Sequence, residues 1–233
     1  MKKLNNILKK HKLKKNIFVL FFLMISFTAC KTKIENEVKI DKETVLPFFN
    51  SAEFTPEWIA ESLSEYNNIH TIPDFNLINQ EGKIITNKTY EGKIYVADFF
   101  FVTCPGICPV LEKNMSKIQE KYKNDSSVLL LSHTVMPVKD SVSVLKKYAL
   151  DNEIVSGKWN LVTGDKKHIY NLARKGYFAD EDFEKTQNTA AFIHSENFVL
   201  VDKKGRIRGV YNGTLGLETK RLIRHVEILK KED

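Results

Sequence analysis

One stretch constrains this chain more than any other. From Ile94 to Phe101 the residues are almost all apolar, and the run ends in Val102-Thr103-Cys104-Pro105-Gly106-Ile107-Cys108-Pro109. A helical pattern follows from Pro109 to Lys123, with Val110, Leu111, Met115 and Ile118 on one face. A buried strand thus delivers two thiols to a helix start. Unpaired N–H groups and positive partial charge at a helix N-terminus favour thiolate over thiol. The two cysteines are four apart, so one helical turn would point both sulfurs the same way. Pro105 and Pro109 stiffen that turn.

The rest of the chain alternates strand and helix. Ile84-Ile85, Val128–Leu131, Trp159–Val162, Phe198–Val201 and Ile207–Tyr211 read as strands. The last two are joined by the hairpin signal Asp202-Lys203-Lys204-Gly205. Helices are predicted over Ser141–Ala149, from an Asp165 cap through Arg174, and over Glu218–Lys231. This order predicts an α/β sandwich around a mixed sheet.

The N-terminus reads as an export signal. Its first 29 residues hold seven lysines and no acid, followed by an apolar run from Ile17 to Phe27. That run falls short of the roughly 20 residues a membrane span needs. Phe27-Thr28-Ala29-Cys30 resembles the lipobox of bacterial lipoproteins. The expected organisation is a signal peptide over 1–29, a lipidated N-terminus at Cys30 with a tether over 30–70, and a folded domain over 71–233. Within 30–70, Leu46 to Tyr66 carries Phe48, Phe49, Phe54, Trp58 and Leu63 at partly helical spacing, and is expected to pack on the domain. Such a chain would sit in the cell envelope, anchored by lipid and facing the periplasm or the exterior.

Charge then loses its meaning as a nucleic-acid signal. The chain has 36 Lys plus Arg against 29 Asp plus Glu, and all of the basic excess lies in the export segment. No nucleic-acid partner is expected. Setting aside Cys30 leaves Cys104 and Cys108. A disulfide between them closes too small a loop to stabilise much, so chemistry is the better reason for the pair. Two thiolates suit a soft metal, copper(I) first. Structural zinc wants four protein ligands, and the thiols supply two, with His70, His133, His168, His194 and His225 as further candidates.

The run Phe100–Pro109 resembles the signature of the Sco/SenC family, thioredoxin-like, membrane-anchored copper proteins of cytochrome c oxidase assembly. The resemblance covers about Ile72 to the end. It takes in Ile72-Pro73-Asp74-Phe75-Asn76-Leu77, Lys158–Gly164 and His194-Ser195-Glu196-Asn197-Phe198-Val199-Leu200-Val201-Asp202. It implies a thioredoxin-like three-layer sandwich with a central mixed sheet. It also implies copper as the metal, Cys104 and Cys108 as thiolate ligands and redox dithiol, and His194 as the imidazole ligand. The implied function is a membrane-tethered copper metallochaperone, with a copper-accepting oxidase subunit as partner.

One position departs from the family pattern. Members commonly carry Asp-Pro and a second Asp three residues beyond that Pro. Here Asp140 matches the second Asp, and Met136 stands in place of the first. Met136 and His133 are therefore candidate auxiliary soft ligands. Phe178 to Phe192, with Asp180, Glu181, Asp182 and Glu184, is expected to form a mobile loop before His194. Two other functions remain open: a thiol-disulfide oxidoreductase that reduces client cysteines, and a copper-sequestering or redox-signalling protein. The three-residue spacing between the cysteines weakens the first of these. A peroxidase fits least, because the cysteines lie too close together for its usual pair.

Overall fold

The structure is a computed structural model, and it describes residues 44–180 and 195–232. Seven strands form one sheet: β1 (Asn76–Asn79), β2 (Ile84–Thr86), β3 (Ile94–Phe100), β4 (Val128–Thr134), β5 (Trp159–Thr163), β6 (Asn197–Val201) and β7 (Ile207–Asn212). Their spatial order is β2-β1-β5-β4-β3-β6-β7. Strands β3, β4 and β5 are parallel, while β1, β2, β6 and β7 join antiparallel. The sheet is therefore mixed, as the alternation in the sequence predicts.

The helices are α1 (Asn87–Tyr90), α2 (Cys108–Tyr122), α3 (Val142–Asp151), α4 (Lys166–Asn171) and α5 (Gly216–Leu229). Leu111, Met115 and Ile118 of α2, Leu145 of α3, and Leu222 and Val226 of α5 cover one face of the sheet. Each such side chain contributes roughly 1.5–3 kcal/mol through burial. Ile169 and Tyr170 of α4, with Tyr177, Phe75 and Ile72, cover the other face. The result is the three-layer, thioredoxin-like sandwich. Every residue of β3 and β4 is buried, because both faces are covered.

Local signals set the helix starts. Ser141 accepts the Val144 N–H, and Asp165 accepts the His168 N–H at 2.7 Å. The fourth helix departs from expectation. It is α-helical only to Asn171, and Leu172–Gly176 is a π-helical turn. The buried Arg174–Asp180 ion pair at 2.7 Å closes that region. Asp180 is thus held in the fold; Glu181 to Phe192, the remainder of the expected loop, lies outside the described residues.

Residues 44–70 pack on the domain, but mostly in extended form. Phe48 bridges Glu57, the Phe49 N–H donates to the Ile207 carbonyl at 3.1 Å, and only Ser64–Asn68 is helical, as a 3-10 turn. The Arg208 guanidinium clamps the segment by donating to the carbonyls of Leu46 and Pro47. Leu46 and Phe48 are buried, so the packed part of the chain begins well before residue 71. No helix among the described residues is long and apolar enough to cross a membrane. Cys30 lies outside them.

Candidate metal and thiol-redox site

Three loops leave the C-terminal ends of the parallel strands. After β3 comes the cysteine loop, after β4 the turn carrying Met136, and after β5 the Asp165 cap of α4. Open α/β sheets place their chemistry at this end.

The chain turns sharply as it leaves β3. The Cys104 N–H donates to the Phe101 carbonyl at 3.2 Å, and α2 begins at Cys108 with Pro109 in its first turn. Proline is tolerated there because its missing N–H would have had no helical partner. Both cysteines are free thiols, Cys104 half-buried and Cys108 buried. The pair is thus one turn of chain across the helix start, as the spacing predicts.

The two sulfurs differ in character. Burial pushes the Cys104 thiol up, but hydrogen bonds outweigh it and hold the pKa below the ordinary value. They come from the Cys108 thiol and from the backbone N–H groups of Cys108, Gly106 and Ile107. Burial pushes Cys108 up to about 12, reinforced by the hydrogen bond it donates to Cys104 and by the nearby charges of Cys104 and Asp98. Cys104 is thus the more acidic thiol of the pair, and Cys108 keeps its proton more firmly.

Asp98 lies below this pair and was not singled out from the sequence. It sits on β3 between Val96 and Phe100, whose side chains pack with Cys108 and Leu111. It is 3 % exposed, and its Oδ1 has no partner. Burial pushes its carboxyl up to about 7, against a hydrogen bond from the Ser132 hydroxyl. Ser132 is oriented in turn by the Trp159 Nε1–H, which donates to its Oγ at 2.7 Å. The available signal was an acid in an otherwise apolar strand read as buried.

Asp140 holds the loop in place. Its carboxylate accepts the Val102 N–H at 3.2 Å and the Thr134 hydroxyl, and Thr134 Oγ1 accepts the Met136 N–H at 3.0 Å. Met136 is half-buried and packs against the apolar cluster on the far side of the sheet. His133 is on that far side too. Its ring stacks on Phe99 at 4.8 Å, and its Nδ1 lies 3.3 Å from the Asp98 carbonyl. The alternation of a strand puts Phe99 and His133 opposite the face that packs on Cys108. His133 is therefore no auxiliary ligand of the dithiol. Among the described residues, no group of three His, Cys, Asp or Glu side chains is arranged to hold a metal. His194 lies outside them.

The chain is similar to known proteins in sequence and fold. The SCO1 protein homolog of Bacillus subtilis is 30% identical over 146 residues, covering 62% of this chain and 75% of its own. The solved structure of BsSco, described as a member of the Sco family of cytochrome c oxidase assembly proteins with a disulfide switch, is 26% identical. It covers 71% of this chain and 96% of its own, with a TM-score of 0.58. Yeast Sco1 with copper bound shares the fold, at 23% identity and a TM-score of 0.51, over 67% of this chain and 92% of its own. Residues 64–230 match the SCO1/SenC family profile, and the chain belongs to that family.

Proposed function

We propose that this protein is a membrane-tethered copper metallochaperone, binding copper through Cys104, Cys108 and His194 and delivering it to the dinuclear copper centre of a cytochrome c oxidase. The observation that carries the reading is the polarised thiol pair at the start of α2. The Cys108 thiol and three backbone N–H groups lower the Cys104 pKa against burial, and Cys108 is one turn away. Two thiolates and an imidazole hold copper(I) and tolerate copper(II). Support for His194 comes from the neighbouring strand. Register Ala97↔Val199 sets the start of β6, three residues after His194, beside the end of β3 from which the cysteine loop leaves. The relation to BsSco supports the oxidase client, and the copper-bound yeast protein supports the cargo. Cys30 in its lipobox-like setting supports anchoring in the cell envelope.

Anaerobic titration of the reduced chain with copper tests this reading. One copper is expected at the dithiol, and none there once Cys104 and Cys108 are joined, because binding needs thiolates. Unchanged copper content in the disulfide form would reject the site.

The same asymmetry favours a second reading, a dithiol that reduces client cysteines so that they can accept copper. The Cys104 thiolate attacks a client disulfide, forming a mixed disulfide and releasing one client thiolate. Cys108 then loses its proton and attacks the Cys104 sulfur, releasing the second thiolate. The client gains two electrons, and the chain ends as the Cys104–Cys108 disulfide. Asp98 is the buried carboxylate available to take the Cys108 proton. In this cycle His194 has no part, which separates the two readings.

A further inference from the structure

We propose that His133 and His168 form a second, two-coordinate copper(I) site, on the face of the sheet opposite the dithiol. Among the described residues, only four buried side-chain nitrogen or oxygen atoms lack a hydrogen-bond partner: Asp98 Oδ1, His133 Nε2, His168 Nε2 and Arg221 Nε. Two of the four are imidazole nitrogens on adjoining elements. His133 ends β4, and His168 lies in α4, which follows the neighbouring strand β5 at the same end of the sheet.

The tautomer of His133 is fixed by its surroundings. A carbonyl can only accept, so Nδ1, 3.3 Å from the Asp98 carbonyl, carries the hydrogen. Nε2 therefore presents its lone pair. Metal-binding histidines are commonly set in this way, one nitrogen donating to a backbone carbonyl and the other facing the metal. The ring has no exposed surface and is held by Phe99, Tyr177 at 5.2 Å and Phe75 at 6.4 Å between ring centres. Burial keeps it neutral. A buried lone pair left without a partner costs roughly 1–3 kcal/mol.

The donor chemistry selects the occupant. Calcium and magnesium take oxygen ligands. Zinc takes four ligands in structural sites and three with a water in catalytic ones. Copper(I), a soft monocation, is satisfied by two neutral imidazoles, and apolar walls suit its low charge. The Met136 thioether, half-buried against the same apolar cluster, is a third soft donor on this face. The site uses no cysteine and is separate from the proposed dithiol ligand set. It would hold copper when Cys104 and Cys108 are oxidised.

The test uses the full chain carrying Cys30→Ser, Cys104→Ser and Cys108→Ser, titrated anaerobically with copper(I) against a chromophoric chelator. One copper(I) per chain is expected, with X-ray absorption showing nitrogen at low coordination number. Adding His168→Ala, at a half-exposed position, should weaken binding at least about tenfold, with circular dichroism unchanged. His133→Phe, which keeps the aromatic stack, should do the same. No retained copper would overturn the proposal, as an internal water then fills the site. Retained copper that responds to His194→Ala and not to His168→Ala would overturn it too.

Discussion

The Asp140 carboxylate accepts the Val102 backbone N–H at 3.2 Å, joining the loop that carries Cys104 to the turn that carries Met136. Asp140 is 1 % exposed, so this bond and the one from Thr134 are shielded from water.

Asp140→Ala should therefore destabilise the fold by about 1.5–3 kcal/mol, the usual worth of a buried hydrogen bond to a charged group. It should also shift the dithiol reduction potential, because the loop is no longer held. Asp140→Asn, which keeps an accepting oxygen, should restore most of the potential. Urea unfolding and redox titration read the two effects. An unaltered potential in Asp140→Ala would show that the tie does not position the thiols.

Asp98 makes a pH prediction. Its folded pKa, about 7, lies above the ordinary carboxylate value because burial opposes ionisation. The folded state then holds a proton that the unfolded state has lost, so stability falls as pH rises from about 4 to about 7 and levels beyond. The cost at neutral pH is on the order of a few kcal/mol. Asp98→Asn should flatten this part of the stability profile. An identical slope in the variant would rule out Asp98 as its source.

Thiol reactivity should follow the polarity of the pair. At pH 7 iodoacetamide should modify Cys104 first, on the order of 100-fold faster than Cys108, since only thiolate reacts. Mass spectrometry of the reduced chain locates the adduct. Equal labelling of both cysteines would contradict the polarised pair.

Anchoring should depend on Cys30 alone. Cys30→Ser should abolish fatty-acid labelling, while Cys104→Ser and Cys108→Ser retain it. Lipid on the Cys30→Ser protein would dismiss the lipobox-like reading.

The central architecture was legible because β3 and α2 carry strong signals, an unbroken apolar run and a 3.6-residue apolar stripe. The four-residue β1 was not, because Asn76–Asn79 sets an adjacent leucine and isoleucine between two asparagines and is too short to show a period. The π-helical turn at Leu172–Gly176 continues a helical pattern, and it is the fold that sets it apart, with the Tyr177 N–H donating to the Leu172 carbonyl at 3.0 Å. The cysteines announced themselves, but their asymmetry comes from burial and from N–H groups that only the folded loop supplies. His133 looked like a neighbour of the dithiol because a strand buried on both faces gives no polar alternation to tell its faces apart.

His194→Ala bears most directly on copper chaperoning. Copper(II) bound to the reduced chain should give an electron paramagnetic resonance signal. His194→Ala should remove most of it, while copper(I) binding weakens less because the soft thiolates remain. Oxidase activity in cells should fall and recover in part with added copper, with the Cys104–Cys108 disulfide still forming and being reduced. An undiminished copper(II) signal with full oxidase activity in His194→Ala, and loss of both in Cys104→Ser, would contradict the proposed ligand set and leave the thiol-disulfide reductase.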